Sequence, residues 1–438
     1  MFHQIDNMSM KNTLKQIIVK ILIWESRLVL KKYHPKIIAI TGSVGKTSTK
    51  DAIFTILSKF KKVRKSQKSF NTEIGLPMTI LGLSYAWSSP ISWIENILKG
   101  FFLILWKHPY PEYLILEVGV GKPGDITKYV APWLHPDIVV VTRFPDKPVH
   151  VEFFGSAEKI MEEKSALAFA LKKDGILILN HDDEKVYALH SKANKKTVSF
   201  GMNNRATYRA TFPTYINDND RVGGISFKLL YNGNTFPIML PHVVGMHYMS
   251  SALAAIACAC EVGCDLLASV NIISEYVTPP SRLSIIEGIN NSNIIDDTYN
   301  ASPVAMEAAI LVLKELKGER KIAVLGDMLE LGKFTEEEHR LVGENIAKIA
   351  DMLVVVGPRA KFIADGALEH GFKQKDIYTF DSSKTVAKFL EGIVESGDLI
   401  LIKGSQGVRL ERAVKAIMVH PEHASKLLCR QEKEWLER

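Results

Sequence analysis

The sequence has little cysteine, with four residues among 438. They are Cys258, Cys260, Cys264 and Cys429, and no two have the Cys-x-x-Cys spacing that a zinc knuckle needs. Three of them cluster around residues 250–263, an apolar, alanine-rich stretch that predicts a buried helix, where free cysteine behaves as a small hydrophobic residue. The pattern therefore predicts a reduced, cytoplasmic protein without a zinc site.

Long uninterrupted apolar runs are also missing. Charged residues break both apolar segments of the N-terminal part, 13–30 at Lys15, Lys20, Glu25 and Arg27, and 91–106 at Glu95 and Lys99. A membrane span needs about 20 mostly apolar residues, so neither segment is predicted to cross a bilayer. Residues 1–35 are expected to form an amphipathic helix. For 91–106, a helix packed in the protein and a contact with a membrane surface both stay open.

Charge of one sign is not concentrated either. The 55 Lys and Arg oppose 48 Asp and Glu, a net charge of +7 over the whole chain. Nucleic-acid-binding proteins usually gather such charge in one patch, so no nucleic-acid partner is predicted, whereas an anionic small substrate would suit the excess. The length predicts two or three domains, and 47% apolar residues exclude disorder as a global description.

Short apolar runs do recur, separated by helical segments. They predict an α/β protein: a central ATPase domain with a parallel sheet and a small antiparallel patch around 197–240, followed by a Rossmann-like α/β domain. A change in composition at 278–281 marks the boundary. The expected domains are 1–35, 36–282 and 283–438.

The strongest local signal is a phosphate-binding loop at 41–47. A short β-branched strand precedes it and a helical stretch follows it, as a site at a helix N-terminus requires. Glycines let backbone N–H groups turn toward phosphate oxygens, a lysine reaches the terminal phosphates, and a threonine hydroxyl binds Mg²⁺. The spacing GxxGKT is shorter than the common one, and the nucleotide-binding residues predicted here are Gly42, Ser43, Val44, Gly45, Lys46, Thr47 and Ser48.

Glu117 ends a second apolar strand, two residues before Gly119. Open α/β sheets bind their ligands at the carboxyl edge, so this carboxylate can hold a Mg²⁺ that also touches Thr47 and the phosphates. An ordinary acid at the end of a strand is the alternative.

Further motifs follow the loop in a fixed order. They are 71–77 (NTEIGLP), 117–119 (EVG), 123–126 (PGDI), 150–156 (HVEFFGS), 295–303 (IDDTYNASP), 326–332 (GDMLELG) and 403–405 (KGS). As a set they resemble the Mur ligase superfamily of ATP-dependent amide-bond ligases, and within it the branch that joins D-alanyl-D-alanine to UDP-N-acetylmuramoyl-tripeptide.

The resemblance implies a reaction, cofactors and a biological setting. A substrate carboxylate attacks the γ-phosphate of ATP, with two Mg²⁺ ions, to give an acyl phosphate, and the amine of the second substrate then displaces phosphate. The product would be a precursor of peptidoglycan, with consequences for cell-wall biogenesis, cell shape and cell division. The protein is expected to be a cytoplasmic monomer, with peripheral membrane contact left open.

The resemblance also implies residue roles. His150 and Lys164 would bind the second Mg²⁺, Lys164 after reacting with CO₂ to form a carbamate, which needs an amine whose pKa is lowered by burial or neighbouring cations. The other implied residues are Arg282 at the ATP phosphates, Asp297 at the ribose, Tyr299 and Asn300 in the nucleotide cleft, and Asn71, Lys403 and Ser405 at substrate, the last two alternatively at a phosphate of ADP. Purely structural roles stay open for Lys164, Asp297 and Lys403.

Two features depart from the family pattern. Tyr248 and Ser251 stand where the adenine-side helix normally carries asparagine, which predicts weaker selectivity for adenine, with Ser251 left to hydrogen-bond and Tyr248 to stack. About 35 residues precede the strand of the phosphate loop, too few for the usual N-terminal domain that recognises the UDP-substrate.

Three other functions compete with the leading one. A Mur-type ligase could act on another carboxylate and amine, as polyglutamylating or cyanophycin-like enzymes do. A Mur-like amidotransferase subunit would need a four-cysteine zinc ribbon. A non-catalytic nucleotide-binding partner would not need two metal sites, yet Lys46, Thr47, Glu117, His150 and Lys164 are all present.

Overall fold

The computed structural model describes residues 2–67, 70–71, 73–84, 89–146, 150–218 and 221–437, so Thr72 of the 71–77 motif lies outside the described residues. The described chain folds into two compact units that are interleaved in sequence. The first comprises the chain up to Phe144 together with Glu158–Arg209 and Ser250–Ile272, and the second comprises Pro145–Ala157, Ala210–Met249 and everything from Ile273 onward. The domain boundaries expected from the sequence stay a prediction.

Helices and strands alternate along the first 272 residues. The helices are α1 (Phe2–Tyr33), α2 (Lys46–Leu57), α3 (Gly75–Leu81), α4 (Pro90–Leu105), α5 (Val151–Phe154), α6 (Ala157–Phe169), α7 (Glu184–Tyr187), α8 (Leu189–Ala193), α9 (Tyr248–Glu261) and α10 (Leu266–Ile272). The strands are β1 (Lys36–Thr41), β2 (Val63–Lys65), β3 (Tyr113–Glu117), β4 (Ile138–Val141), β5 (Ile176–Asn180), β6 (Lys196–Gly201), β7 (Tyr208–Asp218), β8 (Arg221–Tyr231) and β9 (Asn234–Leu240).

The first unit is built on a parallel sheet with the strand order β2-β3-β1-β4-β5-β6. Every residue of β3 and β4 is buried, as expected for strands that helices cover on both faces. The sequence placed β6 in the antiparallel patch, but β6 pairs parallel to β5, because its chain runs on from α8 as a further βα crossover. The antiparallel pairing lies further on, between β8 and β9.

The chain from 273 onward repeats the α/β rhythm. Its helices are α11 (Pro303–Glu315), α12 (Thr335–Ile346), α13 (Lys361–Glu369), α14 (Ser383–Ile393), α15 (Glu411–Ile417), α16 (Ala424–Leu427) and α17 (Lys433–Leu436), with short 3₁₀ turns at Ile273–Glu275, Ile289–Asn291, Gly332–Phe334, Gln374–Asp376, Gln406–Val408 and Pro421–His423. Its strands are β10 (Ser284–Gly288), β11 (Ser292–Asp297), β12 (Arg320–Gly326), β13 (Met352–Val356), β14 (Ile377–Phe380) and β15 (Asp398–Lys403).

A six-stranded sheet in the order β10-β11-β15-β12-β13-β14 organises the second unit. Its pairs are parallel except that β10 is antiparallel to β11. The apolar runs 293–296, 321–325, 352–356, 377–380 and 398–402 predict the five parallel strands within one residue, as the run 176–180 predicts β5 in the first unit. β10 carries no such run, because its residues alternate between buried and exposed. The predicted α/β class, with two largely parallel sheets, is therefore confirmed.

Among the described residues, no helix combines the length and the apolar character that a bilayer crossing requires. The predicted N-terminal helix is present as α1, and residues 90–105 form α4.

Candidate active site

The phosphate-binding loop joins β1 to α2 at the carboxyl edge of the first sheet. Gly45 caps α2 in the left-handed conformation, and Gly42 has φ 136°. A Cβ on Gly42 would lie 2.0 Å from Thr142 Oγ1, so only glycine fits this turn. The hydroxyl of Thr142 also donates to Val44 O at 2.6 Å, which holds the loop open from the end of the neighbouring strand β4.

Lys46 lies inside this loop. Its Nζ donates to Gly42 O at 2.9 Å and lies 3.4 Å from Ser43 O, so the loop curls around the ammonium. Helix N-termini carry unsatisfied N–H groups and a partial positive charge, and a lysine in the loop adds a full charge. The residues present therefore fit a polyphosphate at this position.

Glu117 and Thr47 meet at the same edge. Thr47 Oγ1 donates to Glu117 Oε1 at 3.1 Å, and Asn71 Nδ2 lies 3.4 Å from the same oxygen. The carboxylate is buried, and among the described residues its Oε2 accepts no hydrogen bond, although Lys50 Nζ lies 3.8 Å away. A buried carboxylate oxygen beside a hydroxyl is a suitable donor set for a hard cation such as Mg²⁺. The sequence predicted this pair, and missed the third partner, Lys50.

Lys164 reaches the loop from α6. Its side chain is 3% exposed, and Nζ donates to Ser43 Oγ at 2.8 Å, across 121 positions of sequence. Burial, and secondly the charge of Lys46, hold the pKa of Lys164 well below its usual range. The amine therefore releases its proton at a lower pH than a surface lysine does.

The acidic neighbours of Lys164 are turned to other partners. Glu162 is exposed, and Glu163 accepts backbone hydrogen bonds from Ile126 at 2.6 Å and Thr127 at 2.8 Å. Glu163 thus anchors the segment that follows β3. The sequence did not predict this role, because nothing in the spacing relates Glu163 to Ile126.

The predicted adenine-side residues have internal partners. Ser251 is buried and accepts from Thr49 Oγ1 at 3.1 Å. Tyr248 is 2% exposed and donates its hydroxyl proton to Arg282 O at 2.7 Å. The Tyr248 ring therefore packs inside the protein, which corrects the expectation that it is free to stack on a base.

In the second unit, Asp297 and Lys403 end the adjacent parallel strands β11 and β15 and are partners in the register. Lys403 Nζ donates to Asp297 Oδ2 at 2.6 Å and to Asn300 O at 2.9 Å, and its side chain is 1% exposed. Ser405 Oγ accepts from the Leu329 amide at 2.9 Å. Four residues that were predicted separately therefore lie at one edge of the second sheet: Asp297, Asn300, Lys403 and Ser405.

Arg282 and Tyr299 form a second pair in this unit. The guanidinium lies 4.0 Å from the ring centroid, a cation–π contact. Asp296, the neighbour of Asp297, is fully buried, and burial raises its pKa to about 6. It accepts hydrogen bonds from Ser281 Oγ and Thr298 Oγ1, so it fixes the residues that directly precede Arg282 and Tyr299.

His150 lies in the second unit, at the start of α5. It adopts a positive φ of 71°, and its Nδ1 lies 2.7 Å from Glu330 Oε2. The hydrogen bond and the charge of His150 lower the pKa of Glu330. Within the described part of the chain no three His, Cys, Asp or Glu side chains converge on one point, so His150 is seen with one carboxylate and not in a complete metal site.

Two models of known protein families match this chain. The model for the Mur ligase middle domain matches residues 102–259, and that for the Mur ligase glutamate ligase domain matches residues 281–406. These matches confirm the resemblance read from the motifs.

Individual proteins match over most of the chain. The UDP-N-acetylmuramoyl-tripeptide–D-alanyl-D-alanine ligase of Bacillus subtilis is 32% identical over 399 residues, which cover 90% of this chain and 79% of the relative. The enzyme of the same name from Escherichia coli is 30% identical over 394 residues, covering 89% and 78%. The crystal structure of MurF ligase from Thermotoga maritima in complex with ADP has a TM-score of 0.73 at 26% identity, covering 91% of this chain and 83% of that one.

Proposed function

Since the chain belongs to the Mur ligase family, we propose that it is an ATP-dependent ligase that joins D-alanyl-D-alanine to UDP-N-acetylmuramoyl-tripeptide in the synthesis of peptidoglycan precursors. The observation that carries the proposal is the assembly at the first sheet edge. A glycine loop curled around Lys46, a Thr47–Glu117 pair and a buried Lys164 meet there. The names of the relatives supply the two substrates.

The loop residues bind and orient ATP. Lys46 and the first N–H groups of α2 neutralise the β- and γ-phosphates, so that a substrate carboxylate can approach the γ-phosphorus in line. Mg²⁺, which Thr47 Oγ1 and Glu117 Oε2 would hold, supplies further charge neutralisation when bound. The amine of D-alanyl-D-alanine then attacks the acyl carbon of the resulting acyl phosphate, and inorganic phosphate leaves with the electrons of the broken carbon–oxygen bond.

Lys164 enters this scheme as a carbamate. Its neutral Nζ attacks the carbon of CO₂, the nitrogen–carbon bond forms as one C=O π bond opens, and one proton passes to water, so a neutral amine becomes an anion. The lowered pKa of Lys164 supports this role, because a protonated amine has no lone pair with which to attack. The carbamate would offer anionic oxygen ligands to a second Mg²⁺, and His150 is also proposed as a ligand of Mg²⁺.

The second unit supplies the remaining roles. Asp297 would accept hydrogen bonds from ribose hydroxyls, and Lys403, at 2.6 Å, fixes the orientation of that carboxylate. Arg282, held over Tyr299, would contact the ATP phosphates, and Asn300 would line the nucleotide cleft. Asn71 and Ser405 are proposed to contact substrate. We further propose a cytoplasmic monomer without a nucleic-acid partner.

The test is ADP release by the purified protein with Mg²⁺-ATP and both substrates, with each component omitted in turn. Turnover should require both substrates and should fall at least about 10²-fold in Lys46→Ala, since a preorganised charge at the transferred phosphate is removed. Lys62→Ala is the matched control, because Lys62 is an exposed lysine just beyond α2. Nucleotide binding without turnover would refute this substrate pair, and other carboxylates and amines would then be tried on the same ligase core.

A further inference from the structure

One face of α4 exposes large apolar side chains in an unbroken row. Seven residues are between 39% and 71% exposed: Ile91, Ile94, Leu98, Phe101, Phe102, Leu105 and Trp106. Ile91, Ile94, Leu98, Phe101 and Leu105 recur at intervals of three and four, and Phe102 follows Leu98 by four, so these six lie on one side of the helix. The opposite side packs inward through the buried Asn96 and Gly100. Such a contiguous exposed patch marks an interaction surface.

Helix α1 borders this row and contributes to it. Trp24 is 49% exposed, and its ring centroid lies 5.7 Å from that of Phe101 on α4. The exposed residues Lys20, Arg27 and Lys31 lie along the same side of α1, since together with Trp24 they follow at steps of four, three and four residues. Long side chains of this kind lay their methylenes on apolar surface and keep their charge at the polar boundary.

Hydrogen bonds connect α1 to the C-terminal end of α4. Lys32 Nζ donates to Leu103 O, Ile104 O and Trp106 O at 3.0, 2.9 and 2.6 Å. These carbonyls belong to the last turn of α4, where a helix leaves acceptors unsatisfied. The cap therefore removes the exposed polar groups from the end of the apolar row.

Charge around the face is predominantly positive. Residues 15–34 and 89–108 contain seven Lys and Arg against two carboxylates, Glu25 and Glu95. Glu25 is fully buried, so Glu95 is the acid that this part of the described chain presents to solvent. An apolar row bordered by cations is complementary to the surface of a lipid bilayer, where phosphate groups cover the hydrocarbon core.

We propose that this α1–α4 face docks on an anionic lipid bilayer. The apolar row of α4 would enter the boundary between headgroups and acyl chains, and Lys20, Arg27 and Lys31 would lie among the phosphates. With 16 residues, α4 is about 24 Å long, shorter than the ~30 Å hydrocarbon core, which fits a helix lying in the plane of the membrane. The inference does not depend on the proposed reaction.

The test is flotation of the purified full-length chain with vesicles of phosphatidylcholine containing phosphatidylglycerol, and with phosphatidylcholine alone. We expect partition to the anionic vesicles that weakens in high salt. The double variant Leu98→Ser/Phe102→Ser should lower the partition coefficient at least about tenfold, because two side chains that would be buried in lipid are removed. Lys20→Ala/Lys31→Ala should lower it about fivefold per residue on anionic vesicles only.

Matched controls distinguish lipid binding through this face from nonspecific adsorption of the protein to vesicles. Phe169→Ser/Leu267→Ser removes two apolar residues that are 53% and 57% exposed elsewhere in the same unit, against 51% for each tested residue, and should leave partition unchanged. Lys384→Ala/Lys388→Ala, on the exposed side of α14, is the control for charge. Circular dichroism and urea unfolding of every variant report whether the fold is intact, independently of the proposed reaction.

Three results would overturn the proposal. The first is no flotation of the unaltered chain. The second is an equal loss in the tested and control pairs. The third is a dimer in sedimentation velocity that Leu98→Ser/Phe102→Ser abolishes without changing flotation, which would make the face an interface between copies of this chain.

Discussion

Each unit contains a buried lysine at the carboxyl edge of its parallel sheet, and the two are held in opposite ways. Lys403 is 1% exposed and meets the Asp297 carboxylate at 2.6 Å. Lys164 is 3% exposed and meets the neutral hydroxyl of Ser43, with Lys46 close enough to lower its pKa. Burial is similar in both, so the difference lies in the partner: a carboxylate for Lys403, and a neutral hydroxyl with a neighbouring cation for Lys164.

The difference follows from where the neighbouring strands end. In the second unit β11 and β15 end in register, so an acid and a lysine necessarily face one another. In the first unit Lys164 comes from a helix, and the acid next to it, Glu163, is engaged with backbone amides. The first edge therefore holds an amine of lowered pKa beside the cation Lys46, as expected for a functional site.

Of the substitutions that test this difference between the two lysines, those of Lys164 should have the largest effect on activity. Lys164→Ala should reduce turnover by about 10²–10³-fold, because an electrostatic group at the reacting phosphate is lost. Lys164→Arg should be equally inactive, since a guanidinium stays charged. Initial rates of ADP release measure both variants, and Lys159→Ala, exposed on the same helix, is the control.

A spectroscopic readout accompanies this variant. With the pKa lowered, Lys164 loses its proton at a lower pH than an ordinary lysine, so ¹³C-labelled bicarbonate should give a carbamate signal in NMR near neutral pH. The signal should be missing from Lys164→Ala. An active Lys164→Arg, or an identical signal in both proteins, would remove Lys164 from the reaction.

Next in size is the ion pair of the second unit. Asp297→Asn or Lys403→Met alone should lower the free energy of unfolding by about 3–5 kcal/mol, because each leaves the other partner buried and uncompensated. The double variant should lose less than the sum, and urea unfolding of all four proteins measures this coupling. Additive losses would mean that the pair does not interact, and Lys384→Met is the exposed control.

The smallest expected effect concerns Glu25, a buried carboxylate without a hydrogen-bond partner among the described residues. Burial raises its pKa from 4.5 to about 7, so the folded chain holds a proton that the unfolded chain releases. Its contribution to stability is full below about pH 4.5 and is lost as the pH rises through 7. Glu25→Gln should therefore be more stable than the parent at pH 8, by roughly 1–3 kcal/mol.

Chemical unfolding at pH 8 and pH 4.5 tests this. At the lower pH the two proteins should be equally stable, and Glu95→Gln, exposed on α4, should change little at either pH. A gain for Glu25→Gln that is independent of pH would contradict the titration.

Much of the fold could be predicted because the strands are short, fully buried apolar runs. β5, β13 and β14 match their predicted bounds, and the phosphate loop lies between β1 and α2 as expected. β2 was missed since three half-buried residues in a basic stretch carry no apolar pattern. β10 was missed because its period-two pattern differs from that of its parallel neighbours.

The site was predicted as a set of residues and not as a set of contacts. Thr47, Glu117 and Lys164 were named, but their partners Lys50, Asn71 and Ser43 depend on how distant segments pack. The same holds for Tyr248, which the sequence left free to stack and the structure buries against the backbone of Arg282. Spacing within one element carries no information on such contacts.

The interleaving of the two units constrains how the chain matures. Ser250–Ile272 completes the first unit, and its Ser251 meets Thr49 across 202 positions. During synthesis the phosphate loop therefore emerges long before the helix that packs behind it, and residues 210–249 of the second unit emerge in between. Such non-local closure slows folding and prolongs exposure of the apolar core. A chain truncated before α9 should be a substrate for chaperones and proteases rather than an independent ATP-binding fragment.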